Sequence, residues 1–294
     1  MHVEINNDAS ILQLMATGKC NMSCSFCKHA DYMLSKDATI ETMMDETKRL
    51  VQNTPNLKSV VWGGGEPTLA LPKLKRLYTM IKEQKPELSN HLLSNGRKLK
   101  LKDVDYINES FNKTTVSIDG YDKGERRLMG FVESNSYEAF ETMAKINELH
   151  VWSVMTSQQL WDPRWYEDII KLHNGIVHLG IRTFGLLFDK LMEKPLFTDQ
   201  VINFTYGYMQ IRENMARLQA EYDSVLTMPS FFDSYNCTKC TEAVLIDHEA
   251  VTHTSVDVQQ VTDSGCNKLA KTIGVENYNY INRFLNQKLE NSNV

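Results

Sequence analysis

A chain of 294 residues is long enough for one large domain or one with a small appendage, and its 42% hydrophobic and 23% charged residues exclude a disordered or collagen-like protein. A net charge of −5 argues against a protein that wraps nucleic acid non-specifically. No apolar run approaches the roughly 18 residues that span a bilayer, and MHVEINNDAS has neither the basic start nor the apolar core of a signal peptide. The expectation is a cytoplasmic protein whose six cysteines serve as metal ligands or reactive thiols rather than as a disulfide framework.

Along the first 185 residues, strand-like and helix-like segments alternate at about 30-residue spacing, the pattern of βα units around a parallel sheet. Strands are predicted at 11–17, 58–63, 91–95, 114–119, 151–157 and 176–184, with helical patterns at 38–52, 71–84, 100–109, 135–148 and 163–173. Right-handed crossovers would curl six such strands into an α/β partial barrel with functional loops at the strand C-terminal ends. A doubly wound open sheet fits the same pattern. A long helix follows, because Val201, Phe204, Tyr208, Ile211, Met215, Leu218 and Tyr222 fall on one stripe. It reads as an outer packing helix rather than a coiled coil, since Gly207 interrupts it and three heptads are short. From 223 to 294 the chain reads as a small separate module: a turn-rich stretch, a hairpin within AVLIDHEAVTHTSVD, and an amphipathic helix at Asn277–Leu289.

The first strand runs into Cys20-Asn-Met-Ser-Cys24-Ser-Phe-Cys27. Three thiols within eight residues of a loop can wrap one compact metal centre, yet a tetrahedral zinc or a four-iron cluster wants four ligands. Either a distant residue completes the set or one metal position is open. After the second strand come Gly63-Gly64-Gly65-Glu66-Pro67, where glycines permit close backbone approach and a carboxylate can accept hydrogen bonds from an ammonium group.

Cys-x3-Cys-x2-Cys with the aromatic Phe26 before its last cysteine resembles the signature of the radical S-adenosylmethionine (SAM) enzymes. Gly64-Gly65-Glu66 looks like that family's GGE motif, which grips the SAM amino group. Ser94-Asn95-Gly96 after strand three, and Ser117-Ile-Asp119-Gly120 after strand four, are similar to its further cofactor-contacting stretches. Arg126 or Arg127 stands nearest to the arginine that many members pair with the SAM carboxylate, in a shorter register than usual. The resemblance covers about residues 11–185. It implies that Cys20, Cys24 and Cys27 hold a [4Fe–4S] cluster with an open site for SAM, and that Phe26, Gly64, Gly65, Glu66, Asn95, Ser117, Asp119 and Arg127 surround the cofactors. It further implies a flavodoxin- or ferredoxin-type reductant, homolysis of SAM to a 5′-deoxyadenosyl radical, and hydrogen-atom abstraction from substrate.

Cys237, Cys240 and Cys266 bracket the C-terminal hairpin. Three readings stay open: a second iron–sulfur cluster of the SPASM or Twitch kind, completed by His253, Asp257 or a substrate atom; a structural zinc with His248 or His253; or thiols acting independently, one as a hydrogen donor. Trp152, Trp161 and Trp165 read as packing residues, Arg182 as a pocket residue or a buried ion pair, and Arg97, Lys98, Lys100 and Lys102 as a solvated face.

The extra cysteines resemble those of enzymes that modify peptides or proteins. A first strand near residue 11 leaves no room before it for a peptide-recognition domain, which weighs the other way. A small-molecule enzyme akin to the deazaguanine synthases and a glycyl-radical activase are the alternatives, and a zinc-binding interaction module is the non-enzymatic one.

Overall fold

The computed structural model describes residues 9–24, 27, 36–121, 137–156, 158–181, 183–188, 197–222, 243–246 and 249–253. They fall into two compact units, one containing residues up to Ser117 together with 137–150 and 243–253, the other residues 118–121 and 151–222.

In the first unit, β1 (Ile11–Thr17), β2 (Ser59–Gly64), β3 (Ser89–Ser94) and β4 (Lys113–Ser117) lie side by side in parallel. Parallel neighbours need crossover connections, and α1 (Ile40–Asn53), α2 (Leu71–Gln84) and α3 (Val104–Ser110) supply them. Thr39 starts α1 by accepting the N–H of Thr42 on its side chain. Alternate strand positions, Leu12, Leu14 and Ala16 of β1 and Val60 and Trp62 of β2, are fully buried, as are Met43, Leu50 and Val51 of α1 and Leu74 and Leu77 of α2. Each such side chain removed from water contributes about 1.5–3 kcal/mol, so this layer is the main source of the unit's stability. Trp62 is held in orientation by donating Nε1–H to Asn90 Oδ1 at 2.9 Å, with Phe111 edge-on at 6.3 Å.

The last strands in sequence join the same sheet. β7 (Ala243–Ile246) pairs in parallel with β1, Ile11 opposite Ala243, and β8 (Thr252–His253) pairs antiparallel with β7. The hairpin predicted near 243–257 therefore exists, and β1 is an interior strand hydrogen-bonded on both sides. Residues 223–242, 247–248 and 254–294, with Cys237, Cys240, Cys266, His248 and Asp257, lie outside the described residues. α4 (Tyr137–Met143) completes this unit.

The second unit carries most of β5 (Leu149–Met155), then α5 (Trp165–Ile176), β6 (Thr183–Phe188) and α6 (Thr198–Tyr222). The strand predicted at 176–184 is displaced: Ile176 ends α5, Val177–Leu179 form a 3-10 turn, and Gly180 at φ +70° reverses the chain before β6 begins at Thr183. Ile176, Val177, Leu179 and Ile181 are buried all the same, and an apolar run alone does not distinguish a helix end from a buried strand. α6 packs on α5 with Phe204, Tyr208, Ile211, Met215 and Leu218 buried, while Tyr222 is exposed. Gly207 makes room rather than a break, since a Cβ there would stand 2.7 Å from Trp165 Cε2. Trp165 stacks on Phe204 with parallel rings 6.2 Å apart and donates to the Asn203 carbonyl at 3.1 Å. Trp161 is instead exposed, against Phe197. Among the described residues, no helix is long and apolar enough to cross a membrane.

Candidate active site

The cysteine loop leaves the C-terminal end of β1, where the register with β2 shifts between Met15 and Thr17. Met15 pairs with Gly63 and Thr17 with Gly64, so Ala16 is an extra residue at the end of β1. Gly65 N–H donates to the Thr17 carbonyl at 2.9 Å and Glu66 N–H to the Lys19 carbonyl at 2.8 Å. Such contact excludes side chains. A Cβ on Gly65 would collide with the Lys19 carbonyl oxygen, and one on Gly64, at φ +111°, would lie 2.6 Å from that of Thr17. The glycines thus admit the backbone of the cysteine loop itself.

Glu66 follows, fully buried. Its Oε1 accepts from Thr68 N–H at 3.1 Å, Thr68 Oγ1 at 2.6 Å and Ser94 Oγ at 2.8 Å, and its Oε2 accepts from Asn95 N–H at 2.7 Å. Burial pushes the Glu66 carboxyl above its ordinary range, and the four donors pull the other way. One carboxylate thereby ties the end of β2 to the end of β3.

Asn95 carries that link back to the cysteines. Its Nδ2 donates to Asn21 Oδ1 at 2.8 Å and lies 3.7 Å from Cys20 Sγ. Burial pushes the Cys20 thiol up; the Met22 backbone N–H and the Asn95 amide draw it down, and Glu66 and Cys27 oppose them. On the far side, Thr17 Oγ1 donates to Asp37 Oδ2 at 2.6 Å and Gly18 N–H to Asp37 Oδ1 at 2.8 Å, so Asp37 closes the loop. Lys73 Nζ donates to the Ala38 carbonyl at 3.0 Å.

Of the residues singled out from sequence, Cys20, Gly64, Gly65, Glu66 and Asn95 are brought together, with Cys24 and Cys27 on the same loop, joined by a Cys27 N–H to Cys24 carbonyl bond of 3.1 Å. Ser117 ends β4, half-buried. Asp119 belongs to the second unit, where its Oδ1 accepts the Val154 N–H at 2.9 Å. Phe26, Arg126, Arg127 and Arg182 lie outside the described residues. Arg97, Lys98, Lys100 and Lys102 are exposed, as a solvated face should be. Asn21 and Asp37 were not foreseen; no motif marks them, and only the fold puts Asp37 beside Thr17.

A model of the radical SAM superfamily matches residues 14–158, from within β1 to just beyond β5. Residues 14–158 thus carry a domain of the radical SAM superfamily. The chain's α/β fold, with a parallel six-stranded sheet left unclosed, matches radical SAM structures. SuiB of Streptococcus suis bound to precursor peptide SuiA superposes with a TM-score of 0.62 at 14% identity, over 90% of this chain and 64% of SuiB. The protein anSMEcpe with bound AdoMet superposes with a TM-score of 0.62 at 17% identity, over 89% of this chain and 80% of the other. Its complex with AdoMet and the Cp18Cys peptide gives a TM-score of 0.59 at 18% identity, over 83% and 73%. The chain thus spans less than two thirds of SuiB. No curated protein matches it by sequence.

Radical SAM membership implies a [4Fe–4S] cluster and SAM. The donor chemistry of the loop fits such a cluster: three half-buried thiols, none in a disulfide, and beside them the buried Asn21 Nδ2, a donor with no acceptor among the described residues. Among the described residues no group of three His, Cys, Asp or Glu side chains is gathered closely enough to hold a metal, so Cys20, Cys24 and Cys27 share one loop without converging on a single point.

Proposed function

We propose that this chain is a radical SAM enzyme that reductively cleaves S-adenosylmethionine at a [4Fe–4S] cluster held by Cys20, Cys24 and Cys27, and that its substrate is a peptide or protein. The observation that carries the reading is the Cys20–Asn95–Glu66 link, which ties a three-thiol loop to the two turns expected to meet the cofactors. The bound group would supply one electron to the SAM sulfonium, and the resulting adenosyl radical would take a hydrogen atom from substrate.

The chain's own contribution is placement. Gly64 and Gly65 let the loop backbone dock on β2, Glu66 fixes Asn95, and Asp37 closes the loop at its exit. Their hydrogen bonds hold residues 17–21 in place before any ligand arrives, which lowers the entropy lost on binding. Gly64, Gly65, Glu66, Asn95, Ser117, Asp119 and Arg127 are proposed to contact SAM, with Phe26 beside the cluster. SuiB with precursor peptide SuiA and anSMEcpe with the Cp18Cys peptide, both similar in fold, support a peptide substrate. Cys237, Cys240 and Cys266 are proposed to hold a second cluster.

The test is anaerobic reconstitution followed by incubation with dithionite and SAM, scoring 5′-deoxyadenosine by mass spectrometry. About four or eight irons per chain are expected, four per cluster, with 5′-deoxyadenosine formation that Cys24→Ala abolishes. Colourless protein with stoichiometric zinc under the same conditions would refute the proposal.

A further inference from the structure

The side chains of Asn21 and Asn95 have fixed orientations, and each is fixed by a neighbour. Arg97 N–H donates to Asn95 Oδ1 at 3.0 Å, so the atom that Asn95 turns toward the cysteine loop is its Nδ2 donor. That donor reaches Asn21 Oδ1 at 2.8 Å, which settles the second amide: its oxygen faces Asn95 and its Nδ2 points away. Asn21 Nδ2 is buried and finds no acceptor among the described residues. Buried donors are almost always paired, so this one calls for an acceptor that arrives with a ligand. Asn21 adjoins Cys20, and Asn95 Nδ2 lies 3.7 Å from the Cys20 sulfur. One amide donor thus reaches the Cys20 thiol, and the other, on the residue next to Cys20 in sequence, is left without an acceptor among the described residues.

We propose that Asn21 and Asn95 form an amide pair that donates hydrogen bonds to the sulfur atoms of the iron–sulfur cluster, Asn95 to the Cys20 thiolate and Asn21 to a sulfur of the cluster core, and so sets its reduction potential. The inference rests on the cluster assignment above. Reduction adds one electron and concentrates negative charge on sulfur, and N–H donors stabilise that more charged form, raising the potential. Both side chains act on the cluster itself, and the titration below is run without SAM so that it reads that contact alone. Glu66 takes part indirectly, because its Oε2 holds the Asn95 backbone.

The experiment uses the full chain, reconstituted anaerobically, as wild type, Asn21→Leu and Asn95→Leu. Leucine removes the donor without introducing charge. Iron per chain is measured first, then the cluster midpoint potential by a redox titration followed by electron paramagnetic resonance, without SAM. The expected result is wild-type iron content with a more negative midpoint in both variants. A wild-type midpoint in iron-replete Asn21→Leu and Asn95→Leu would overturn the proposal and leave the amides as packing groups. If leucine costs the protein its iron, the titration is read on Asn21→Ser, which shortens the donor: a more negative midpoint supports the pair, and an unchanged one overturns it. Wild-type protein that takes up no iron would refute the cluster assignment, and the inference with it.

Discussion

Asp37 and Thr17, twenty residues apart in sequence, are joined by a hydrogen bond of 2.6 Å from the threonine hydroxyl to the aspartate carboxylate. The other carboxylate oxygen takes the Gly18 N–H at 2.8 Å, so entry and exit of the cysteine loop share one charged group. Bonds to a charged acceptor contribute about 1.5–3 kcal/mol each, toward the lower end where water has access, as it has here. Closing a loop of this length costs entropy that the pair offsets. Asp37→Ala is expected to lower stability by about 2 kcal/mol and to release iron faster on gel filtration, with Asp37→Asn intermediate. Melting temperature and iron retention equal to wild type would show the clasp to be dispensable.

The three consecutive glycines should differ sharply in tolerance. A Cβ at position 63 would meet only Leu93 Cδ1 at 3.7 Å, an ordinary contact. At position 65 it would strike the Lys19 carbonyl oxygen and lie 2.6 Å from that of Gly18, both backbone atoms that cannot rotate away. Gly63→Ala should therefore change stability by no more than about 0.5 kcal/mol, while Gly65→Ala displaces the loop and reduces both iron uptake and SAM binding. Circular dichroism melts with iron analysis on the two variants test the contrast. Equal behaviour would mean that β2 and the loop do not share the contact described.

Much of this arrangement was legible in the sequence because it is written in local chemistry. The run Ile11–Thr17 has the strand composition it needs, and the stripes of α1 and α2 repeat at helical spacing. The glycine run announced a close approach, but not to what, since nothing local states that the carbonyls of residues 17–19 are the partner. The parallel pairing of β7 with β1 was not legible either: it links positions more than 200 residues apart, and the expected hairpin is equally consistent with a separate module. Glu66 was singled out for a ligand, whereas its burial against Thr68, Ser94 and Asn95 depends on how β2 and β3 end side by side.

Those four donors make Glu66 hard to replace. In Glu66→Gln one acceptor oxygen becomes an NH2 group, which must face either the Asn95 N–H or the Thr68 and Ser94 donors. Whichever way the amide turns, at least one buried donor loses its acceptor, a loss of about 1–3 kcal/mol. The Asn95 backbone is then less firmly held. Glu66→Gln is expected to melt at lower temperature than wild type even before reconstitution. A melting temperature unchanged in the iron-free protein would mean that the carboxylate does not organise this turn.

His173 makes a prediction in the second unit that does not depend on any cofactor. Its ring is 4% exposed, edge-on to Phe184 at 3.9 Å, beside a small cavity lined by Val177, Ile181, Phe184 and Met215. Among the described residues neither ring nitrogen has a hydrogen-bond partner, and burial holds its pKa at about 3, down from 6.5. The folded state therefore stays unprotonated where the unfolded state takes up a proton, so stability is full above about pH 6.5 and falls as pH drops toward 3. One such group gives a slope of about 1.4 kcal/mol per pH unit within that window. His91, lowered to about 3 by burial and by the nearby Lys113 and His150, adds to the slope with the same sign. Urea unfolding between about pH 7.5 and pH 5 should thus show acid-weakened stability, and His173→Leu should reduce the slope by close to one proton while preserving stability at the upper end. If His173→Leu leaves the slope unchanged, the proton taken up on acid unfolding belongs to another group, and the ring is not held neutral in its apolar site.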